Sequence, residues 1–247
     1  MKVSIITTSY NSESTIEHTI KSVISQKYPD IEYIIIDGKS SDHTRDIINR
    51  YKDKISKSIF ESDQGIYYAL NKGIEMATGD IIGFLHSDDF YPDVQVISKV
   101  VNEFVSHDTD SVYGDLQYVD KINLDKVIRN WKSGKYKKGM FLNGWMPPHP
   151  TFFVKREHYK KYGNFNTNLK SAADYELMLR LLHKHQLKTS YIPEILVKMR
   201  VGGKSNVSFI NRIYANREDR LAWKINELKP GFFTLLLKPL SKLGQFL

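Results

Sequence analysis

The chain has 247 residues, no cysteine and a formal net charge of +8 at pH 7. The lack of cysteine excludes a disulfide framework and a thiolate zinc site, and no stretch approaches the roughly 18 apolar residues of a membrane span. The first apolar run, residues 3–6, is too short for a signal peptide, so we expect a cytoplasmic protein with one sizeable core.

The positive charge is concentrated in the second half of the chain. Residues 1–120 carry 11 Lys and Arg against 20 Asp and Glu, whereas residues 121–247 carry 25 against 8. Such asymmetry is typical of a region that faces lipid headgroups, a phosphorylated substrate or nucleic acid. A solvated lysine-rich surface has the same composition, and both interpretations stay open.

Apolar strands alternate with amphipathic helices over roughly the first 110 residues. Strands are predicted at residues 3–8, 31–36 and 80–86. A capping box formed by Ser14 and Glu17 predicts the start of the first helix, Asp42 caps the second, and two more helices are predicted at 66–77 and 94–104. Because strands that are apolar throughout belong to parallel sheets covered on both faces, we expect an α/β fold with a mostly parallel sheet flanked by helices.

The pattern weakens after residue 114. Residues 115–150 are interpreted as irregular strands and loops, and an apolar strand is predicted at 151–154. An amphipathic helix at 173–185 and a strand at 190–199, broken at Pro193, follow. The tail, 231–247, is apolar with interspersed lysines, which suits either a membrane interface or docking on protein.

Short polar residues follow the first two predicted strands, in the runs Thr7-Thr-Ser-Tyr-Asn-Ser-Glu and Ile36-Asp-Gly-Lys-Ser-Ser-Asp-His-Thr. Ligands of open α/β sheets bind beyond the carboxyl ends of the strands, where backbone N–H groups suit a nucleotide. Asp37 could accept a hydrogen bond from the N–H of a base, or serve as a turn residue before the next helix. No dinucleotide-binding glycine fingerprint follows either strand, which argues against NAD.

Acidic residues dominate the next two junctions. The run Glu61-Ser-Asp-Gln-Gly precedes a helix, and the third core strand leads into Asp88 and Asp89. Adjacent carboxylates at a strand end can hold a divalent cation against a diphosphate. They can equally cap a turn before Pro92.

Together these motifs resemble the inverting glycosyltransferases of family 2, with the GT-A fold, and most closely the bacterial enzymes that build surface polysaccharides. The motifs are Ser9-Tyr-Asn-Ser-Glu, Ile36-Asp-Gly-Lys-Ser-Ser-Asp, Glu61-Ser-Asp-Gln-Gly, Ala69-Leu-Asn-Lys-Gly, Gly79-Asp, Ser87-Asp-Asp and Ala173-Asp-Tyr-Glu-Leu. The resemblance implies a glycosyltransferase domain over residues 1–205, with a nucleotide-sugar-binding part (1–115) and an acceptor-binding part (116–205). A helical extension, 206–247, would follow.

The resemblance also implies roles for individual residues. Asp174 matches the general base, and Asp88 matches the ligand of Mn²⁺ or Mg²⁺, with Asp89 sharing the ion or supporting its turn. His86 stands where the family has the first acid of its DxD motif. Trp145 and His149 are implied acceptor contacts. The implied donor contacts are Ser9, Tyr10, Glu13, Asp37, Asp63, Asn71, Lys72, Ser87 and Arg200.

The implied reaction moves a sugar from a nucleotide-diphosphate sugar, expected to be UDP-linked, to a hydroxyl of a lipid-linked or polysaccharide acceptor at the cytoplasmic membrane face. One alternative is a metal-dependent nucleotidyltransferase, whose glycine-rich and arginine-containing loop is missing from residues 7–13. A second is a non-catalytic nucleotide-sugar or glycan-binding module, which would need no base at Asp174. No nucleic-acid-binding motif is present in the sequence.

Overall fold

One mixed sheet runs through the structure, a computed structural model that describes residues 1–202, 209–232 and 234. The strands are β1 (Val3–Ser9), β2 (Ile31–Asp37), β3 (Lys57–Phe60), β4 (Ile81–Phe84), β5 (Asp89–Phe90), β6 (Ser111–Val119), β7 (Val127–Trp131), β8 (Phe153–Lys155) and β9 (Thr189–Arg200). The helices are α1 (Ile16–Ile24), α2 (Thr44–Arg50), α3 (Ile66–Met76), α4 (Val96–His107), α5 (Arg156–Tyr162), α6 (Ala173–Met178) and α7 (Phe209–Ile225). A π-helical turn, Leu179–Lys184, continues α6.

The first half forms the parallel part of the sheet, as the sequence predicts. Strands β3, β2, β1 and β4 lie side by side in parallel, and every residue of β1 is buried. The predicted α/β fold is therefore confirmed. The short strand β3 was not predicted, because Lys57 and Ser58 interrupt its apolar pattern.

The second half is more regular than its sequence suggests. Within the predicted irregular region, β6 and β7 form an antiparallel hairpin, and β6 also pairs in parallel with β9. Pro193 does not end β9, because the register shifts there and two residues bulge: Gly114 pairs with Ile192 and Asp115 with Ile195. The helix α5 was also missed by the sequence interpretation.

Two predicted helix caps differ from the observed ones. The N-cap of α1 is Thr15 and makes no side-chain capping bond, so the predicted capping box is wrong. Glu17 instead accepts a hydrogen bond from the Tyr51 hydroxyl at 2.7 Å. Asp42 lies one residue before the N-cap of α2, and its carboxylate accepts the Thr44 N–H at 3.0 Å.

The two predicted parts share one sheet and one core. In the sheet order β3-β2-β1-β4-β8-β6-β9-β5, the last strand comes from the first part and pairs with β9 of the second. Buried apolar residues from Val3 to Trp223 form a single cluster. Residues 203–208, 233 and 235–247, which include most of the predicted interfacial tail, lie outside the described residues. Within the described part, no helix combines the length and the apolar character needed to cross a membrane.

Candidate functional site

The candidate site lies at the carboxyl ends of β1, β2 and β4. Strands β1 and β2 end in register, with Ser9 beside Asp37, and the turn 86–89 follows β4 on the other side of β1. Asp37 is 1% exposed and accepts hydrogen bonds from the hydroxyls of Ser9 and Ser40, both at 2.7 Å, and from the Ser40 N–H at 2.8 Å. These contacts are those of a turn residue, which is the second interpretation given above for Asp37. A contact between Asp37 and a nucleotide base stays a prediction.

Tyr10 and Glu13 lie on the loop that leaves β1. The Tyr10 ring is 53% exposed, and its edge would lie 3.4 Å from a Cβ placed on Gly38. Glu13 binds the α2 entrance through its carboxylate, which accepts the His43 N–H at 2.9 Å. The β1 and β2 loops are therefore tied together, with one flat ring left accessible to a ligand.

The acidic loop before α3 surrounds Lys72. Its ammonium group pairs with Asp63 and, at 2.8 Å, with Glu61, and these hydrogen bonds raise the pKa of Lys72. Gly65 caps α3 at a φ of 137°, a conformation that side chains disfavour. Because Lys72 is already neutralised by two carboxylates, it has little net charge to offer to a phosphate.

The side chains of Asn71 and Ser87 form hydrogen bonds within the chain. The Asn71 amide binds both backbone groups of Phe165, at 2.9 and 3.0 Å. The Ser87 hydroxyl lies 2.8 Å from that of Ser12. Both residues hold loops around the site, and their donor contacts stay predictions.

The turn 86–89 separates the two adjacent carboxylates. Asp88 is partly exposed, whereas Asp89 is fully buried, and neither of its oxygens has a hydrogen-bond partner among the described residues. Burial and the neighbouring Asp88 raise the pKa of Asp89 well above its usual value. Asp89 is therefore shielded from solvent in this structure, and the roles of Asp88 and Asp89 in holding a metal or supporting its turn stay predictions.

Arg200, the last residue of β9, supports this turn through a hydrogen bond to its backbone. Its guanidinium is buried and donates to the Asp88 carbonyl at 2.5 Å and to His18 Nδ1 at 2.7 Å. It also lies over the Phe90 ring, 5.0 Å from the centroid. These contacts engage the guanidinium within the protein, and the donor contact implied for Arg200 stays a prediction.

Asp174 lies in the first turn of α6, with 22% of its side chain exposed. One oxygen, Oδ2, is 3.2 Å from His149 Nδ1, and the other, Oδ1, is 3.5 Å from the Tyr67 hydroxyl. No sequence motif indicates a role for Tyr67, which has the pattern of a core residue of α3. His149 was predicted as an acceptor contact, and the structure places it against the predicted base.

His86 connects the base to the strand ends. Its ring lies 5.8 Å from that of His149, and its Nδ1 is 3.2 Å from the Thr8 hydroxyl. Burial and His149 lower the pKa of His86 to about 4, whereas Asp88 and Asp174 act in the opposite direction. The imidazole is therefore neutral at pH 7.

Trp145 belongs to an aromatic cluster rather than to an open surface. It stacks on Tyr136 at 5.1 Å, meets Tyr113 and Phe141 edge-on, and donates its indole N–H to the Ser133 carbonyl at 2.8 Å. Because one face of the ring is covered by Tyr136, the acceptor contact implied for Trp145 is limited to the other face. Its observed contacts are structural.

The Asp88 carboxylate is chemically suited to bind a divalent cation. A carboxylate at the rim of a strand-end turn is a hard oxygen ligand, and the neighbouring His86 is a neutral imidazole that Mn²⁺ accepts. A second acidic cluster among the described residues, Asp110 with Glu157 and His158, lies at the amino-terminal ends of β4 and β6, away from the candidate site. Lys155 is 3.7 Å from Asp110 there, which disfavours a cation.

Similarity to known proteins agrees with this geometry. The family model of Glycosyl transferase family 2 matches residues 4–170, ending four residues before Asp174. A PGL/p-HBAD biosynthesis glycosyltransferase of Mycobacterium bovis is 26% identical over 215 residues, covering 82% of this chain and 78% of the relative. An uncharacterized glycosyltransferase of Mycobacterium tuberculosis is 30% identical over 186 residues, covering 72% and 68%.

Two solved structures share the fold at low sequence identity. S. aureus TarS 1-349 in complex with UDP-GlcNAc has a TM-score of 0.69 and 18% identity, covering 93% of this chain and 68% of TarS 1-349. Mannosyltransferase PcManGT from Pyrobaculum calidifontis, in complex with GDP-Man and Mn²⁺, has a TM-score of 0.69 and 19% identity, covering 96% and 68%. The GT-A fold expected from the motifs is therefore confirmed.

Proposed function

This chain belongs to glycosyl transferase family 2, and from that premise we propose that it moves a sugar from a UDP-sugar to a hydroxyl of a lipid-linked or polysaccharide acceptor. The observation that carries the proposal is the link from Asp174 to His149, 3.2 Å away, and from His149 to His86, whose ring lies 5.8 Å from it and which belongs to the same turn as Asp88. Asp88 can bind a cation at the diphosphate end of a donor, and Asp174 can accept the proton of an incoming hydroxyl.

In the proposed step, Asp174 removes the proton from the acceptor hydroxyl as its oxygen attacks the anomeric carbon. The new glycosidic bond forms as the bond from that carbon to the diphosphate breaks, so the configuration inverts and the electron pair leaves on the diphosphate. Asp88 would hold the divalent cation, which when bound neutralises charge on the diphosphate.

The choice of UDP is supported by TarS, which was solved with UDP-GlcNAc. PcManGT, solved with GDP-Man and Mn²⁺, makes GDP the competing nucleotide and supports a divalent cation. A thermal-shift panel separates the nucleotides, because a ligand that binds the native state raises the melting temperature. A Mn²⁺-dependent shift with UDP but not GDP is expected. Shifts only with nucleoside triphosphates would favour the nucleotidyltransferase instead.

The role of Asp174 is tested by Asp174→Asn in a UDP-release assay. An amide cannot accept the proton, so turnover should fall by about 10²- to 10⁴-fold while the affinity for the UDP-sugar stays within about twofold. Asp110→Asn, just before the start of β6 and away from the candidate site, is the matched control. Near-native turnover of Asp174→Asn would show that another group is the base.

We also propose that the protein contacts the cytoplasmic membrane face peripherally, through the basic second half. Residues 121–247 carry 25 Lys and Arg against 8 Asp and Glu, a balance suited to anionic headgroups. Co-sedimentation with vesicles containing anionic lipid should be strong at low salt and weaken as salt screens the attraction. No binding at low salt would contradict this contact.

A further inference from the structure

The contact between His149 and Asp174 starts from a constrained backbone segment. His149 begins a short 3₁₀ turn and lies between Pro148 and Pro150, whose rings fix the backbone on either side. The buried Thr151 closes this turn, because its N–H donates to the Pro148 carbonyl at 3.0 Å and its hydroxyl lies 2.9 Å from the same oxygen. The imidazole is therefore attached to a rigid segment, and its Nδ1 lies 3.2 Å from Asp174 Oδ2.

Tyr67 approaches the same carboxylate from α3. Its ring stacks on Phe165, 5.7 Å between centroids, and Asn71 holds the backbone of Phe165 in place. Burial and the nearby Asp174 raise the pKa of Tyr67, so its hydroxyl keeps its proton and remains a donor. The two oxygens of Asp174 thus face two protein donors that come from different elements.

We propose that His149 is a positioning residue for the base: its imidazole donates Nδ1–H to Asp174 Oδ2 and, with Tyr67 at Oδ1, orients the carboxylate toward the acceptor hydroxyl. This inference rests on the proposed role of Asp174. It replaces the acceptor contact that the sequence predicts for His149. A base must be held in a productive geometry to contribute its full effect, and losing an orienting partner reduces the rate without removing the base.

The position of the hydrogen-bonding nitrogen distinguishes this role from others. Asparagine carries its amide nitrogen at the same place along the side chain as His Nδ1, whereas glutamine carries it at the place of Nε2. His149→Asn therefore keeps a donor for Asp174 but has no group that can take up a proton. His149→Gln keeps the polarity and much of the volume but moves the donor, and His149→Ala removes it.

The experiment compares these variants in steady-state transfer with UDP-sugar, acceptor and Mn²⁺. His149→Ala and His149→Gln should lower kcat roughly 10- to 100-fold, with the KM values of donor and acceptor within about twofold. His149→Asn should recover kcat to within about fivefold of the native enzyme, and Tyr67→Phe should lower it severalfold. His107→Asn, an exposed histidine at the end of α4, is the matched control. Thermal unfolding of each variant shows that it is folded, and the Gln variant serves if the Ala variant is not.

Three results would overturn the proposal. If His149→Asn were as inactive as His149→Ala, the imidazole itself would be the proton acceptor. If His149→Ala raised the acceptor KM at unchanged kcat, His149 would be an acceptor contact. If His149→Ala and His149→Gln were fully active, His149 would have no role in the step. Asp174→Asn in the same assay keeps the two proposals distinguishable: its inactivity beside a fully active His149→Ala refutes only the positioning role, and its full activity refutes the proposed base.

Discussion

At the scale of single residues, Asp88 and Asp89 show how burial decides which of two identical side chains is available. Asp88 is partly exposed at the rim of the turn, whereas Asp89 lies in β5 with no exposed surface. A fully buried carboxylate can support the turn, whereas a partly exposed one can reach a cation in the cleft. The proposed metal role therefore rests on Asp88, whose carbonyl accepts a hydrogen bond from Arg200.

This assignment predicts that Asp88→Asn weakens the binding of a UDP-sugar only when Mn²⁺ is present. The expected loss is roughly 10- to 100-fold, because the amide is a poorer ligand for a hard cation. Titration calorimetry with Mn²⁺ and with chelator measures both affinities, and Asp93→Asn is the control. Equal affinity of the native protein with and without Mn²⁺ would contradict the assignment.

Glu32 predicts a stability change with pH. Its buried carboxylate accepts hydrogen bonds from the Ser4 hydroxyl at 2.6 Å, the Lys57 ammonium at 3.0 Å and the Thr78 N–H at 2.7 Å. Burial alone would raise the pKa of Glu32, but these hydrogen bonds together lower it from 4.5 to about 2. Because the folded pKa lies below the unfolded one, this stabilisation is complete above about pH 4.5 and is lost as the pH falls toward 2.

We expect Glu32→Gln to lower the free energy of unfolding by about 1–3 kcal/mol at pH 7, because it weakens charge-assisted hydrogen bonds between buried groups. The difference from the native protein should shrink as the pH is lowered from 4.5 toward 2. Urea unfolding at several pH values measures it, and the exposed Glu75→Gln is the control. A difference that does not depend on pH would show that charge is not the cause.

At the scale of elements, α7 holds the loop that leads into Asp174. Glu218 accepts the N–H groups of Lys170, Ser171 and Ala172 at 2.9, 2.7 and 3.0 Å. Further along α7, the Trp223 indole donates to the Tyr175 hydroxyl at 2.9 Å. Helix α7 thus binds the N–H groups of the loop before α6, including that of the N-cap Ala172, which has no partner within α6.

Glu218→Gln tests whether this contact matters for turnover. A neutral amide oxygen accepts these bonds more weakly, so we expect a drop in unfolding free energy of about 1–2 kcal/mol and a severalfold lower kcat. Thermal unfolding and the transfer assay measure the two effects, with Lys224→Gln on the same helix as the control. A lower melting temperature at unchanged kcat would limit α7 to a stabilising role.

At the scale of the whole molecule, the predicted division into donor and acceptor parts does not divide the sheet or the core. Strand β5 from the first part pairs with β9 of the second, and the core cluster extends from Val3 to Trp223. Two regions that share a sheet and a core lose their contacts together when either one unfolds.

We therefore expect one cooperative unfolding transition. All three tryptophans, Trp131, Trp145 and Trp223, lie in the second half, so their fluorescence reports that half, whereas far-ultraviolet circular dichroism reports the whole chain. The two signals should give the same midpoint within experimental error. Separate midpoints would show that the two parts are independent folding units.

By itself the sequence determined the α/β fold, the parallel strands β1, β2 and β4, and the strand ends that carry Asp37 and Asp88. These follow from continuous apolar runs and from local turn residues, both of which are local properties of the chain. The same local patterns failed at β6 and β7 and placed a break in β9 at Pro193, where β6 pairs with β9 and joins residues 111–119 to residues 189–200. A strand that depends on a distant partner leaves a weaker local signal.

Only the tertiary structure decided which predicted site residues face the cleft and which face the protein. It buried Asp89, directed Arg200 at a backbone carbonyl and covered one face of Trp145. It also brought His149 and Tyr67 to Asp174 from segments 25 and 107 residues away along the chain. Which side chains meet depends on how the elements pack, and composition and spacing carry no record of that packing.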